Sequence, residues 1–173
     1  MLRLRPYKTS DADVIASWTK DEYALRQWSA DRYRHYPLRA KDINEQYAEM
    51  IDEDWFYPFT AFDEKGIVGH LVMRFLDEEK EVLRFGFIII DDTKRGRGLG
   101  KEMLRLSLKY AFEILGAKKV RLGVFQNNTG AYRSYKAVGF KESNIADPES
   151  FYVFGEEWKQ IELEMDWMDW YKE

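Results

Sequence analysis

The tightest constraint in the chain lies between residues 82 and 115. There an apolar run, Val82 to Ile90, gives way to the loop Asp91-Asp92-Thr93-Lys94-Arg95-Gly96-Arg97-Gly98-Leu99-Gly100 and then to an amphipathic stretch ending at Leu115. The run is too short to cross a membrane and rich in branched and aromatic residues, which suits a buried strand. Met103, Leu104, Leu106, Leu108, Ala111, Phe112 and Leu115 follow helical spacing, with Lys101, Glu102, Arg105 and Lys109 largely off the stripe. A glycine-rich turn therefore joins a buried strand to a helix. The first backbone N–H groups of a helix have no partner within it and sit at the positive end of its dipole, so they can hold an anion. Glycines at 96, 98 and 100 let the backbone approach closely, and Arg95, Arg97 and Lys101 add positive charge. The expected ligand is a phosphate or pyrophosphate; a glycine-punctuated surface turn with solvated arginines is the plainer reading of the same residues.

Spacing separates the phosphate sites. A Walker A loop has four residues between its first glycine and Gly-Lys, then Ser or Thr. Here Gly96 to Gly100 leaves three, and Glu102 follows Lys101. A dinucleotide fingerprint needs a small third residue where Lys101 stands. The arrangement that fits is Arg-x-x-Gly-x-Gly at Arg95, Gly98 and Gly100. A second pattern follows it: Asn128, Ala131, Tyr135, then Gly139-Phe140. On their own, Asn128 could simply cap a helix and Tyr135 could simply fill a core.

Together, in this order, the two patterns resemble the GNAT superfamily of N-acetyltransferases. The resemblance covers the chain from about Phe56 to Met165, and the broad layout, including the late Gly-Glu-Glu-Trp hairpin, is most similar to the branch containing ribosomal-protein N-terminal acetyltransferases and many small-molecule relatives. It implies an α/β (α+β) GNAT fold: a mixed, mostly antiparallel central sheet of six to seven strands, a V-shaped splay between two parallel strands, and helices on both faces. It also implies acetyl-CoA as co-substrate. Its diphosphate would lie on Arg95, Gly96, Arg97, Gly98, Leu99, Gly100 and Lys101, its pantetheine along the backbone of Ile88, Ile89 and Ile90, with Asn128 in contact. A backbone N–H in that strand could polarise the thioester carbonyl. Tyr135 would lie beside the sulfur, and with an ordinary pKa of ~10 it could donate a proton to the departing thiol.

The remaining elements are consistent with that layout. Leu2 to Arg5 alternates as a half-buried strand; helices are expected from Ser10 or Asp11 to Trp18, from Asp21 to Trp28 and from Lys41 to Ile51. Phe56–Phe62 and Ile67–Phe75 form a hairpin around Asp63 to Gly66 and lead into Val82–Ile90 as an antiparallel meander. Val120–Phe125 pairs in parallel after a right-handed crossover, which puts the loop at the carboxyl end of a strand. A short helix runs from Asn127 or Asn128 to Lys136, and Phe151–Phe154 with Trp158–Met165 makes a last hairpin. The aromatic tail, Asp166 to Glu173, could pack on the domain or on a second copy, giving a homodimer.

At 173 residues, one domain spanning 1–173 is expected. The net charge of −4 argues against nucleic acid or an anionic membrane as partner. With no cysteine and two distant histidines, His35 and His70, neither a disulfide framework nor a metal site is expected. Nothing near the start reads as a secretory segment, so a cytoplasmic location is expected.

The acceptor is expected to be an amine, on a small molecule or a peptide. Its pocket is expected between Trp28 and Pro37, Trp55 and Pro58 and the last hairpin, where Trp28, Tyr33, Tyr36, Trp55 and Tyr57 with Glu22, Asp31 and Asp54 could hold a cationic or aromatic amine. Core packing of the aromatics and surface solvation of the acids is the stronger reading of these residues, by their usual fate. The glutamate that some relatives carry five residues before the asparagine is replaced by Gly123, so no base is assigned; Asp91, Glu81 or His70 could act through water. Two other readings compete: a non-catalytic acyl-CoA-binding regulatory module of GNAT fold, and a nucleotide phosphate-binding domain.

Overall fold

The computed structural model describes residues 1–144 and 148–172. Glu173, the end of the aromatic tail, lies outside the described residues. In chain order the elements are β1 (Arg3–Pro6), α1 (Ala12–Ser17), α2 (Glu22–Ser29), α3 (Ala40–Ala48), β2 (Phe56–Asp63), β3 (Gly66–Phe75), β4 (Val82–Ile90), α4 (Leu99–Lys109), β5 (Lys119–Phe125), α5 (Thr129–Val138), β6 (Lys141–Glu142), β7 (Ser150–Val153), β8 (Glu156–Asp166) and α6 (Trp167–Trp170). The sheet runs β1-β2-β3-β4-β5-β8-β6, with β7 paired to β8 as a hairpin. Among the described residues, only β4 and β5 pair in parallel. The expected mixed, mostly antiparallel sheet is what forms. It holds one more strand than the six to seven expected, because the two-residue β6 is too short to show any periodicity.

Alternation along the strands assigns the two faces. Val72 and Ile89 point to α1, α2 and α3, where they pack with Ile15, Leu25, Ile43, Tyr47 and Phe56. Leu71, Met73, Phe85, Leu122 and Leu163 point the other way, against Met103, Leu104 and Leu108 of α4 and Val138 of α5. The apolar stripe read in the sequence is thus the inner face of α4. Its last turn is wider than α-helical: Leu115 N–H donates to the Tyr110 carbonyl at 3.0 Å. Among the described residues no helix is long and apolar enough to cross a membrane.

Two features open the middle of the sheet. Pairing of β4 with β5 extends only from Val82 opposite Lys119 to Phe85 opposite Leu122, although both strands continue. In β4, Phe87 and Ile88 oppose Leu71 alone, a bulge between the pairs Val72/Gly86 and His70/Ile89. A bulge bends the strand that carries it. Phe87 takes φ +49°, a left-handed conformation that costs a residue with a Cβ roughly 1–3 kcal/mol. Packing holds it there, since its ring lies 5.4 Å from that of Trp28 and 6.1 Å from that of Tyr33. Beyond Phe85 the two parallel strands therefore part, as the family resemblance implied.

The tail folds back on its own chain. Trp170 lies 6.2 Å from Phe112, and Lys141 pairs with Asp169 at 3.0 Å, while Trp167, Met168 and Tyr171 stay exposed.

Candidate functional site

A cavity of about 930 Å³ fills the splay. One end is the glycine loop, where Lys94, Arg95, Gly96, Gly98, Leu99, Gly100 and Lys101 line it and Arg97 does not. Gly96 and Gly98 have φ of +78° and +79°, and a Cβ on either would meet nothing within 4 Å. The left-handed backbone itself, rather than crowding within the chain, is what calls for glycine at these two positions. Gly98 caps α4 without a side chain, and Glu102 is the first residue whose N–H finds the Gly98 carbonyl, at 3.0 Å. Among the described residues, no backbone carbonyl accepts from the N–H groups of residues 96–101. Those amides, beside Lys94, Arg95 and Lys101, form a cradle for an anion.

The cavity then passes the free edge of β4, where Ile88, Ile89 and Ile90 line it, and reaches Asn128 and Tyr135. Asn128 Oδ1 accepts from Ala131 N–H at 3.3 Å, so the side chain caps α5 as well as facing the cavity. Tyr135 is 6% exposed, and burial pushes its hydroxyl pKa up, so it stays protonated at neutral pH. The sequence-predicted residues are thus brought to one cavity, with Arg97 outside it.

The far end is built by register. Arg74 of β3 lies opposite Arg84 of β4, Arg84 opposite Arg121 of β5, and Gly123 of β5 opposite Glu162 of β8. Register partners share a face, so these charges form a row under α1–α3. Both Arg84 terminal nitrogens donate to the Glu162 carboxylate. Gln160 fills the space above Gly123: a Cβ there would stand 2.2 Å from Gln160 Nε2 and 2.8 Å from Arg84 Nη2. The Arg74 guanidinium has no ion pair or hydrogen bond among the described residues, and burial, then Arg84 and Arg32, hold its pKa below the usual arginine value.

The residues suggested as a base do not reach this cavity. His70 is fully buried and shares a 2.8 Å hydrogen bond between its Nε2 and the Tyr47 hydroxyl; burial lowers its pKa to about 4, leaving it neutral. Asp91 caps the turn at 92–94 and pairs with Lys94 at 3.3 Å, and Glu81 is exposed. The carboxylate beside Gly123 comes instead from Glu162 on the neighbouring strand. The expected acceptor pocket is also corrected. Trp28 and Trp55 line the cavity, but Tyr33, Tyr36, Tyr57, Glu22, Asp31 and Asp54 do not. Glu22 pairs with Arg26 and Asp54 with Lys80, which neutralises both at the surface. Arg74, Arg84, Gln160 and Glu162 belong to the site without being singled out by any motif in the sequence. Their signal is a charged or polar residue at every second position of otherwise buried strands, as in Gln160, Glu162 and Glu164.

Residues 1–141 match the family described as "Acetyltransferase (GNAT) domain". The chain is similar to the SPbeta prophage-derived uncharacterized N-acetyltransferase YokL of Bacillus subtilis, 26% identical over 135 residues that make up 77% of this chain and 73% of that one. It is also similar to the spermine/spermidine N(1)-acetyltransferase of Bacillus subtilis, 29% identical over 98 residues, 54% of this chain and 64% of that one. In fold it matches the spermidine N-acetyltransferase from Vibrio cholerae in complex with CoA and spermine, with a TM-score of 0.83, 20% identity and 98% of each chain covered. The polyamine enzymes here replace the ribosomal-protein branch that the broad layout suggested; a layout shared across the family does not choose a branch. With the family matched along most of the chain and its loop, splay and tyrosine on one cavity, this protein belongs to the GNAT acetyltransferases and is an N-acetyltransferase that uses acetyl-CoA.

Proposed function

We propose that the protein transfers acetyl from acetyl-CoA to a primary amine of a small molecule, by direct attack while both are bound. The observation that carries this is a single cavity running from the loop amides past Tyr135 to the Arg84–Glu162 pair. The coenzyme fits what the chain leaves unsatisfied: N–H groups at 96–101 suit a diphosphate, and the β4 edge beyond Phe85 suits an extended amide-bearing arm. When bound, the coenzyme supplies the acetyl group on a thioester and a thiol as leaving group.

The protein's own groups do the rest. The loop with Lys94, Arg95 and Lys101 anchors the diphosphate, and Asn128 and the backbone of Ile88 to Ile90 align the arm. As the amine nitrogen bonds to the acetyl carbon and the carbon–sulfur bond breaks, Tyr135, held protonated by burial, donates its proton at the hydroxyl to the departing sulfur, and the proton shed by the amine nitrogen restores that hydroxyl through water. The attacking amine has to be neutral, and the row of guanidinium groups at Arg74 and Arg84 disfavours its ammonium form. Glu162, doubly bonded to Arg84, fixes that guanidinium rather than reaching out as a free base.

A second reading, a non-catalytic acyl-CoA-binding module, draws on the scarcity of free carboxylates in the wall, where Glu162 is paired and Glu149 is exposed. Thiol release over a panel of primary amines, with calorimetry of coenzyme A binding alongside, tests both. Acceptor-dependent release supports the transferase. Coenzyme binding without release on any amine favours the module, and heat with ATP but not coenzyme A would abandon both.

A further inference from the structure

We infer that the acceptor carries a carboxylate as well as its reacting amine, and that Arg74 pairs with that carboxylate. This deepens the acetyl-transfer reading and rests on it. The chain as a whole has a net charge of −4, yet the acceptor end of the cavity is cationic. Arg32, Arg74, Arg84 and Arg121 line it against Glu149 and Glu162 among the described residues. Two of the four have a carboxylate partner: Arg84 donates hydrogen bonds to Glu162, and Arg121 pairs with Glu164 at 3.5 Å, its buried Nε lacking a hydrogen-bond partner among the described residues. That leaves Arg74, half-buried in mid-strand, and Arg32, exposed at the mouth.

A half-buried guanidinium with no anion is an unstable arrangement, and two more guanidinium groups nearby make it worse. Among the described residues no anion bonds to the Arg74 guanidinium, and burial first, then Arg84 and Arg32, outweigh the more distant pull of Glu149 and Glu162. A planar fork of donors at such a point matches a carboxylate in geometry and in charge. Trp28, which lines the cavity, carries a second orphan donor: its Nε1 is buried and has no partner among the described residues. Gln46, also on the wall, carries a buried Oε1 with no partner among the described residues, an acceptor that suits an N–H of the substrate. Between them, Trp28 and Phe87 give an aromatic wall with ring centroids 5.4 Å apart. The class this surface fits is an amino carboxylate with an apolar body.

A polyamine is the poorer match. It would bring further ammonium groups beside Arg74 and Arg32 and, among the described residues, find only the exposed Glu149 free on the wall. The chemistry of the cavity thus separates this chain from the polyamine enzymes it resembles in fold.

The test compares kcat/KM for thiol release within matched pairs: tyrosine and tyramine, phenylalanine and phenethylamine, 4-aminobutyrate and butylamine, with spermidine alongside. At least one amino carboxylate should exceed its decarboxylated partner by roughly ten- to a hundredfold, the range expected for a charge-assisted hydrogen-bonded pair. Arg74→Met should bring that pair close to equality and Arg74→Lys should keep part of the preference, with unchanged far-UV circular dichroism confirming the fold. A decarboxylated partner as fast or faster in every pair, or spermidine as the best acceptor, overturns the inference and leaves acetyl transfer standing. Coenzyme binding with no release from any of these amines overturns both.

Discussion

Arg84 on β4 reaches across β5 to Glu162 on β8, and it can do so because residue 123 between them has no side chain. A glycine that reads in the sequence as a lost catalytic glutamate is, in the fold, the gap through which an ion pair closes. Both partners are largely covered, with side chains 18% and 13% exposed, so each depends on the other.

Restoring a glutamate at this point should therefore harm the protein rather than supply a base. Gly123→Ala already places a Cβ 2.2 Å from Gln160 Nε2 and is expected to lower stability by roughly 1–3 kcal/mol as an overpacked site. Adding Gln160→Gly should recover much of that loss. Chemical denaturation of the two single variants and the double variant checks it; strictly additive losses would show that the two positions do not compete for one space.

Removing one member of the ion pair strands the other. Glu162→Gln is expected to cost roughly 1–3 kcal/mol, discounted from a fully buried pair for the remaining exposure. Arg84→Met with Glu162→Leu should lose less than the sum of the single changes. Equal losses in the sum and the double variant would mean that the pair carries no coupling.

Tyr135→Phe keeps the ring and its packing against Phe140, 6.3 Å away, and deletes only the hydroxyl. A fall in kcat of roughly a hundredfold or more is expected, with coenzyme A binding by calorimetry nearly unchanged. Full turnover in this variant would remove Tyr135 from the chemistry.

Gly98→Ala tests the cradle. Since its Cβ would meet nothing within 4 Å at φ +79°, the cost is conformational, about 1–2 kcal/mol for a left-handed residue. The loop should relax away from that conformation, raising KM for acetyl-CoA several-fold while kcat changes little. A lower kcat with unaltered KM would argue that the loop does not bind the coenzyme.

His70 makes stability depend on pH. Its folded pKa, about 4, lies below the unfolded value near 6.5, so the unfolded chain binds a proton first as pH falls. Stability is fully present above about pH 6.5 and declines toward pH 4, by roughly 3 kcal/mol in all. Asp11 acts lower on the scale. Burial raises its pKa, but hydrogen bonds from Arg5, Lys8 N–H and Thr60 outweigh that, and its contribution fades as pH drops below the carboxylate range. Thermal melts of wild type and His70→Gln from pH 7 to 4 separate the two, since the variant should lose the upper part of the slope.

Local signals were enough for the loop, the helix behind it and the helix around Tyr135. Glycine at positive φ, an apolar stripe at helical spacing and an asparagine cap each act within a few residues, so the chain itself determines them. The coenzyme end of the cavity was legible for that reason. The acceptor end was not, because it consists of Arg74, Arg84, Gly123 and Glu162 on four strands far apart in sequence, and only pairing register sets them on one face. The tyrosines and acids that seemed to belong to it, Tyr36, Tyr57 and Asp54 among them, are close to the cavity in sequence but turned from it in space. Which residues bind an anion could be read along the chain; which charge the substrate must carry was decided by how the strands lie side by side.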